Sequence, residues 1–237
     1  MTALYIGLAI VLDGGAALVA GLIPERALLA ARPSLIAFAA GVLLGTTFFD
    51  LLPEALARSG GRAGLILGVV LASLVSMLIV EGALRGRPRR EGSLAGVLLG
   101  ADALHNVADG AAIAAAFLIS PRLGLVTSVA VIAHEVPEEV ADYVFLRQGG
   151  MGRRRAVLAM AAVQLTAGIG AALTVAGSAL WSGVAGVVLA LAAGTFLHIA
   201  QIDLVPRLLD GSEGPARLGS LVAMLAGLGV AVLGLWL

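Results

Sequence analysis

The sequence predicts an all-α integral membrane protein of eight transmembrane helices. Three observations predict it. First, 60% of the residues are hydrophobic and mean hydropathy is +1.05, while only 13% are charged, against roughly 25% charged in a soluble domain. Second, the apolar residues gather in eight runs of the length needed to cross a bilayer, about 20 residues each. Third, the runs are punctuated by short connectors rich in proline, glycine and arginine.

In chain order the runs cover about 2–23, 34–57, 64–84, 94–118, 124–147, 156–177, 184–206 and 217–237. The first has no basic residues ahead of it and carries Asp13 within its apolar stretch, so it reads as a retained span rather than a cleaved signal. The turns between runs are expected at Pro24, Pro33, Gly60-Gly61, Pro88, Pro121, Gly149-Gly150, Gly183, Gly211, Gly214 and Pro215. No connector is long enough for a separate domain, so residues 1–237 read as a single transmembrane unit. The sequence has no cysteine, which excludes disulfides, thiolate metal sites and iron–sulfur clusters. Net charge is zero and no long basic tract is present, which argues against a nucleic-acid partner; the surrounding partner is the lipid bilayer.

Arginine sets the expected topology. Arg26, Arg32, Arg85, Arg87, Arg89, Arg90, Arg147, Arg153, Arg154, Arg155, Arg207 and Arg217 lie on one side, and only Arg58, Arg62 and Arg122 on the other. The positive-inside rule places the first group in the cytoplasm and both termini outside. Glycine faces such as Gly96 with Gly100 and Gly227 with Gly234 permit close helix packing, within one subunit or in a homodimer.

The acidic residues carry the functional signal. Asp13, Asp50, Glu54, Glu81, Asp102, Asp109, Glu135, Glu138, Glu139, Asp142 and Asp203 all fall inside predicted spans, where a carboxylate costs about 2.5–3.5 kcal/mol at the bilayer centre. Glu54, Glu81 and Asp142 are close to span ends, where an interfacial charge is an equally good reading. The dense cluster is elsewhere. On a helix, positions i, i+3, i+4 and i+7 share a face. Asp102, His105, Asn106 and Asp109 therefore line one stripe of the fourth span, and His134, Glu135, Glu138 and Asp142 line one stripe of the fifth. Both stripes read His-(Asn/Glu)-Val-x-(Asp/Glu), and adjacent spans run in opposite directions, as in the inverted repeats of transporters. So many carboxylates repel one another unless protons or a divalent cation neutralise them. Pro137 removes the hydrogen-bond partner of the Ala133 carbonyl and is expected to kink the fifth span beside Glu138. His198 has no carboxylate one turn away and reads as structural or pathway-lining.

With these residues in view, the chain resembles the ZIP (Zrt/Irt-like) family of divalent-metal transporters, in the prokaryotic form that lacks a His-rich loop. The family's His-Asn-x-x-Asp/Glu-Gly signature is matched by His105, Asn106, Asp109 and Gly110, and its His-Glu-x-Pro-x-Glu signature by His134, Glu135, Pro137 and Glu139. Asp50-Leu51-Leu52-Pro53-Glu54 and Asp203-Leu204-Val205-Pro206 are similar to the ends of the family's second and seventh spans. The resemblance implies eight helices arranged three plus two plus three with inverted pseudo-symmetry. It also implies a binuclear centre in which His105, His134, Asp109 and Glu138 hold a first metal and Asn106, Asp109, Glu135 and Glu138 a second. Asp203 and Asp50 would sit on the approaches. The chain departs from the pattern at Glu138, where many members have His, at Arg207, where an acid is usual, and at Gln164, near which some members place an extra acid.

The expected function is transport of a divalent transition metal, Zn²⁺ first, toward the cytoplasm. Mixed imidazole and carboxylate ligands also suit Fe²⁺, Mn²⁺, Co²⁺ or Cd²⁺. The competing reading is an intramembrane metal-dependent hydrolase with Glu135 or Glu139 as general base. Against it, His134-Glu135 is not followed by a second histidine at the zincin spacing, and no enzyme is expected.

Overall fold

The computed structural model describes residues 1–15, 25–85, 94–206 and 215–234. Helix α1 covers Thr2–Asp13 and α2 covers Glu25–Thr46. After a π-helical turn at Thr47–Leu51, α3 continues the same rod over Leu52–Ala57. Then come α4 (Ala63–Arg85), α5 (Leu94–Ile119) and α6 (Pro121–Gln148). A further rod is built from α7 (Arg153–Gln164) and α8 (Thr166–Leu180). Next, α9 (Val184–His198) runs into a second π-helical turn at Ile199–Leu204, and α10 covers Pro215–Gly234. Joined across their irregular turns, these segments make eight rods among the described residues.

Five rods are long and apolar enough to cross a membrane, and α1 and Leu218–Gly234 are shorter apolar helices. The remaining rod, α6, is 28 residues long, and its acids are what set it apart from the others. Burial is inverted relative to a soluble protein. Leu67, Leu71, Ile79, Leu173, Leu221 and Leu225 face outward, while Asp13, Asp102, Asn106, Asp109, Glu135 and Glu139 are buried. So much exposed aliphatic surface is what a chain with membrane-spanning helices presents to its surroundings.

The turns form largely where glycine and proline were expected to make them. Gly60 and Gly61 adopt φ of +60° and +86°, and Gly150 adopts +86°, conformations open to glycine at little steric cost. Pro121 opens α6, with the Ser120 hydroxyl accepting the Leu123 N–H at 3.1 Å, as suits a residue lacking its own N–H. Pro33 is a correction: it lies inside α2 rather than in a connector. The sixth span falls within one apolar stretch, Arg153–Leu180, long enough to cross a membrane, and it is built from two helices meeting at Leu165. Pro24, Pro88, Gly211 and Gly214, the arginines Arg87, Arg89, Arg90 and Arg207, and residues 16–23 of the first run lie outside the described residues.

Both π-helical turns precede a proline, Pro53 or Pro206. Proline cannot donate to the carbonyl four residues back and its ring collides with it. Widening the turn relieves that collision: Leu52 N–H reaches Thr47 O, and Val205 N–H reaches Ala200 O, each five residues back. Glycines set the tightest seams. A Cβ at Gly41 would collide with Met224 O of α10, one at Gly194 with Val70 O of α4, one at Gly110 with Ala167 O of α8, and one at Gly170 with Val107 O of α5. Gly227 is likewise held against Phe38 O of α2 and Gly234 against Val126, so this face packs within the chain, whereas Gly96 and Gly100 meet nothing.

Candidate metal centre

Helices α5 and α6 pack against each other, with α1, α7 and α9 closing the sides. At their crossing, His105 Nε2 lies 3.0 Å from His134 Nε2, with ring centroids 5.2 Å apart and planes at 73°. Asp109 Oδ2 is 3.1 Å from His134 Nε2 and 3.5 Å from His105 Nε2. Glu135 Oε1 and Glu138 Oε2 each lie 3.7 Å from His105 Nε2. His105, Asp109, His134 and Glu135 thus offer ligand atoms within 4.8 Å of one another. A tetrahedral zinc with ligands at about 2.0–2.2 Å would hold those atoms roughly 3.3–3.6 Å apart, and the observed spacing brackets that value.

The imidazoles are oriented for this. His134 Nδ1–H donates to Ala130 O at 3.0 Å, and the ring packs edge-on against Phe196 of α9 at 5.6 Å. In the neutral ring that bond leaves the lone pair on Nε2, the atom facing His105, as in metal-bound histidines oriented by an outer acceptor. Asp109 Oδ2 and Glu135 Oε1 are buried and have no hydrogen-bond donor. With His134 Nε2 as acceptor, His105 Nε2–H donates across the 3.0 Å between the rings, and the acid oxygens of Asp109 and Glu135 converge on the same point.

The other sequence-expected residues divide around this centre. Asn106 Nδ2 donates to Asp102 Oδ1 at 2.9 Å and to Asp102 O at 3.2 Å, which leaves Asn106 Oδ1 buried without a donor. Glu138 is the most open of the set, with 40% of its side chain exposed. Glu139 is buried on the far side, where Gln164 Nε2 donates to Glu139 Oε1 at 2.5 Å and to Glu135 Oε2 at 2.7 Å. Asp50 sits in the first π-helical turn and accepts from Arg122 Nη2 at 3.1 Å. The backbone of Asp203 lies in the second π-helical turn, and its side chain is outside the described residues. Sequence reasoning passed over the role of Gln164 as a clamp on two carboxylates; a polar residue inside an apolar span was the available signal. The helix continues through Pro137, which is buried.

The family model described as ZIP zinc transporter matches residues 88–234, a stretch holding every residue of the His/carboxylate cluster. The chain belongs to the ZIP family. Among curated ZIP proteins, it is 34% identical over 218 residues to Zinc transporter ZIP13 of Pongo abelii, covering 84% of this chain and 65% of that protein. It is 38% identical over 148 residues to Zinc transporter ZIP6 of Homo sapiens, covering 60% and 20% respectively. To Zinc transporter SLC39A7 of Rattus norvegicus it is 36% identical over 142 residues, covering 57% and 30%. The chain spans less than two thirds of the length of these ZIP relatives. ZIP membership together with the apolar rods makes this a multi-pass membrane protein.

Proposed function

We propose that this ZIP chain moves a divalent transition metal across the membrane, Zn²⁺ in the first place, toward the cytoplasm through a binuclear site between α5 and α6. The observation that carries the reading is the pair of Nε2 atoms 3.0 Å apart beside two buried acid oxygens that lack a donor. His105, His134, Asp109 and Glu138 hold the first ion, and Asn106 Oδ1, Asp109, Glu135 and Glu138 the second, with Glu139 held ready by Gln164. Fe²⁺, Mn²⁺, Co²⁺ and Cd²⁺ meet the same donor chemistry. The relatives are named zinc transporters, and nothing in the cluster favours the hydrolase reading.

The architecture proposed for residues 1–237 is a single unit of three plus two plus three helices with inverted pseudo-symmetry. Its support is a set of contacts that exchange in pairs. The second rod packs on the eighth as the seventh does on the third, the first on the fifth as the sixth on the fourth, and the second on the fifth as the seventh on the fourth. Asp50 and Asp203 occupy the two π-helical turns. Gly41 and Gly194 make the two closest approaches to α10 and α4. Both pairs have the same separation in sequence, 50 to 203 and 41 to 194. Such symmetry places the site at the midplane and gives it two equivalent exits, with Asp50 on one approach and Asp203 on the other. Arginine asymmetry puts both termini outside. The open glycine face at Gly96 and Gly100 suits a second copy, as in a homodimer.

The test is uptake of radiolabelled Zn²⁺ into proteoliposomes. His134→Ala and Glu138→Ala should each abolish it while the protein stays helical and monodisperse. Unimpaired uptake in both variants would remove the proposed site.

A further inference from the structure

The first turn of α6 carries an arginine at the end of an apolar crevice. The crevice has a volume of about 220 Å³ and runs between three helices: Val42 and Thr46 of α2, Val126 and Val129 of α6, and Ala231 and Gly234 of α10 line it. Thr46 is the one polar side chain in its lining. Leu125 and Leu233 also line it, and they are exposed together with Val129, so the crevice opens on the surface that faces lipid. Arg122 stands at its end. The Nε–H of Arg122 donates to the carbonyl of the lining residue Gly234 at 2.7 Å, and Nη2–H donates to Asp50 Oδ1 at 3.1 Å. These bonds use two of the five N–H groups of a guanidinium. The Asp50 side chain is 0% exposed, whereas 35% of the Arg122 side chain is exposed. What reaches the surface from this ion pair is therefore its positive half.

We propose that this crevice binds one acyl chain of an anionic phospholipid whose phosphate is held by Arg122. Val126 and Val129 follow Arg122 on the same helix, roughly 6 and 10 Å further along it at about 1.5 Å per residue. The guanidinium thus stands at one end and aliphatic side chains follow, in the order in which a lipid carries its phosphate and its tails. An apolar crevice holds no ordered water, and an empty one leaves its walls without the dispersion contacts that a hydrocarbon chain supplies. Arginine matches phosphate in charge and in geometry, and the positive end of the α6 dipole lies at the same place. The bound chain touches two bodies at once: α6, which carries His134, and the α2–α10 pair that closes tightly at Gly41 and Gly227. The lipid site is separate from the metal centre, and neither reading depends on the other.

The full chain is purified in detergent, stripped of lipid, and titrated with phosphatidylglycerol or with phosphatidylcholine of identical acyl chains, bound lipid being counted by native mass spectrometry. The expected result is one retained phosphatidylglycerol per chain, bound about fivefold more tightly than phosphatidylcholine, as suits the attraction of one arginine for an anionic lipid. Arg122→Gln should bring the two lipids to equal affinity. Val129→Trp fills the crevice and leaves Arg122 in place, and it should remove the retained lipid whatever its headgroup. Glycerol phosphate, a headgroup without a tail, should not compete. Equal retention of the two lipids by the wild-type chain, or undiminished phosphatidylglycerol binding in folded Val129→Trp, would overturn the proposal. So would displacement by glycerol phosphate, which marks a simple anion site, or a lipid-free dimer, which assigns the crevice to a second copy. The wild-type comparison needs no variant, so it decides the matter even if Arg122→Gln does not fold.

Discussion

Two buried aspartates meet opposite fates in this molecule. Asp50, in the first π-helical turn, has a guanidinium at 3.1 Å, and Arg122 also donates through Nε to Gly234 O at 2.7 Å. Asp109, at the α5–α6 crossing, has two imidazoles and no arginine, and its Oδ2 lacks a donor. The first is finished in charge, its Oδ1 meeting a guanidinium, although its Oδ2 is buried without a hydrogen-bond partner. The second is unfinished in that sense: among the described residues it pairs with no arginine, as suits a site that takes up a cation.

The sharpest way to break the contrast is to remove the unfinished side. His134→Ala should lower Zn²⁺ affinity, measured by isothermal titration in detergent, by more than about 100-fold, since even outer-shell losses cost roughly 10–100-fold. Gln164→Leu removes such an outer partner from Glu135 and Glu139 and should cost about 10–100-fold in the same measurement. Acidification acts on the same groups. Each imidazole or carboxylate must shed its proton before it binds metal, so affinity should fall as pH falls, by about tenfold per pH unit for each proton displaced. A pH-independent affinity would show that the ion binds elsewhere. The finished side should respond differently: Arg122→Gln leaves the fully buried Asp50 side chain alone and should destabilise the fold by about 1–3 kcal/mol in thermal melts. Partial exposure of the guanidinium keeps this below a fully buried pair. Smallest of all, Arg58→Ala breaks an exposed pair with Glu54 and should change stability by no more than about 0.5 kcal/mol.

Hydropathy made most of the rods legible, because an apolar run in lipid has to satisfy its backbone within itself and so forms a helix. The cluster was legible too: helical spacing alone puts His105 with Asp109 and His134 with Glu138, and the repeated pattern brings the two stripes together. What escaped was local. The π-helical turns arise from Pro53 and Pro206 acting on the turn before them, a backbone effect that hydropathy does not register. Pro33 was misplaced because, next to Arg32, it was taken as the breaker of a connector, whereas α2 carries it within the helix. The break at Leu165 lies in an apolar stretch without proline or charge to mark it. Asp13 stood out as an intramembrane acid, but its complete burial comes from packing that spacing along the chain does not foretell.

The glycine seams have a mechanical consequence. At Gly110 with Gly170, and at Gly41 with Gly227, one helix's carbonyl fills the space where the other would carry a methyl. Helices locked this way travel together like planks nailed along their length: α5 with α8, and α2 with α10. Between α2 and α6, and between α9 and α5, no described glycine meets a carbonyl in this manner. Sliding is cheapest along those ungrooved faces, and His134 lies beside one of them, against Phe196.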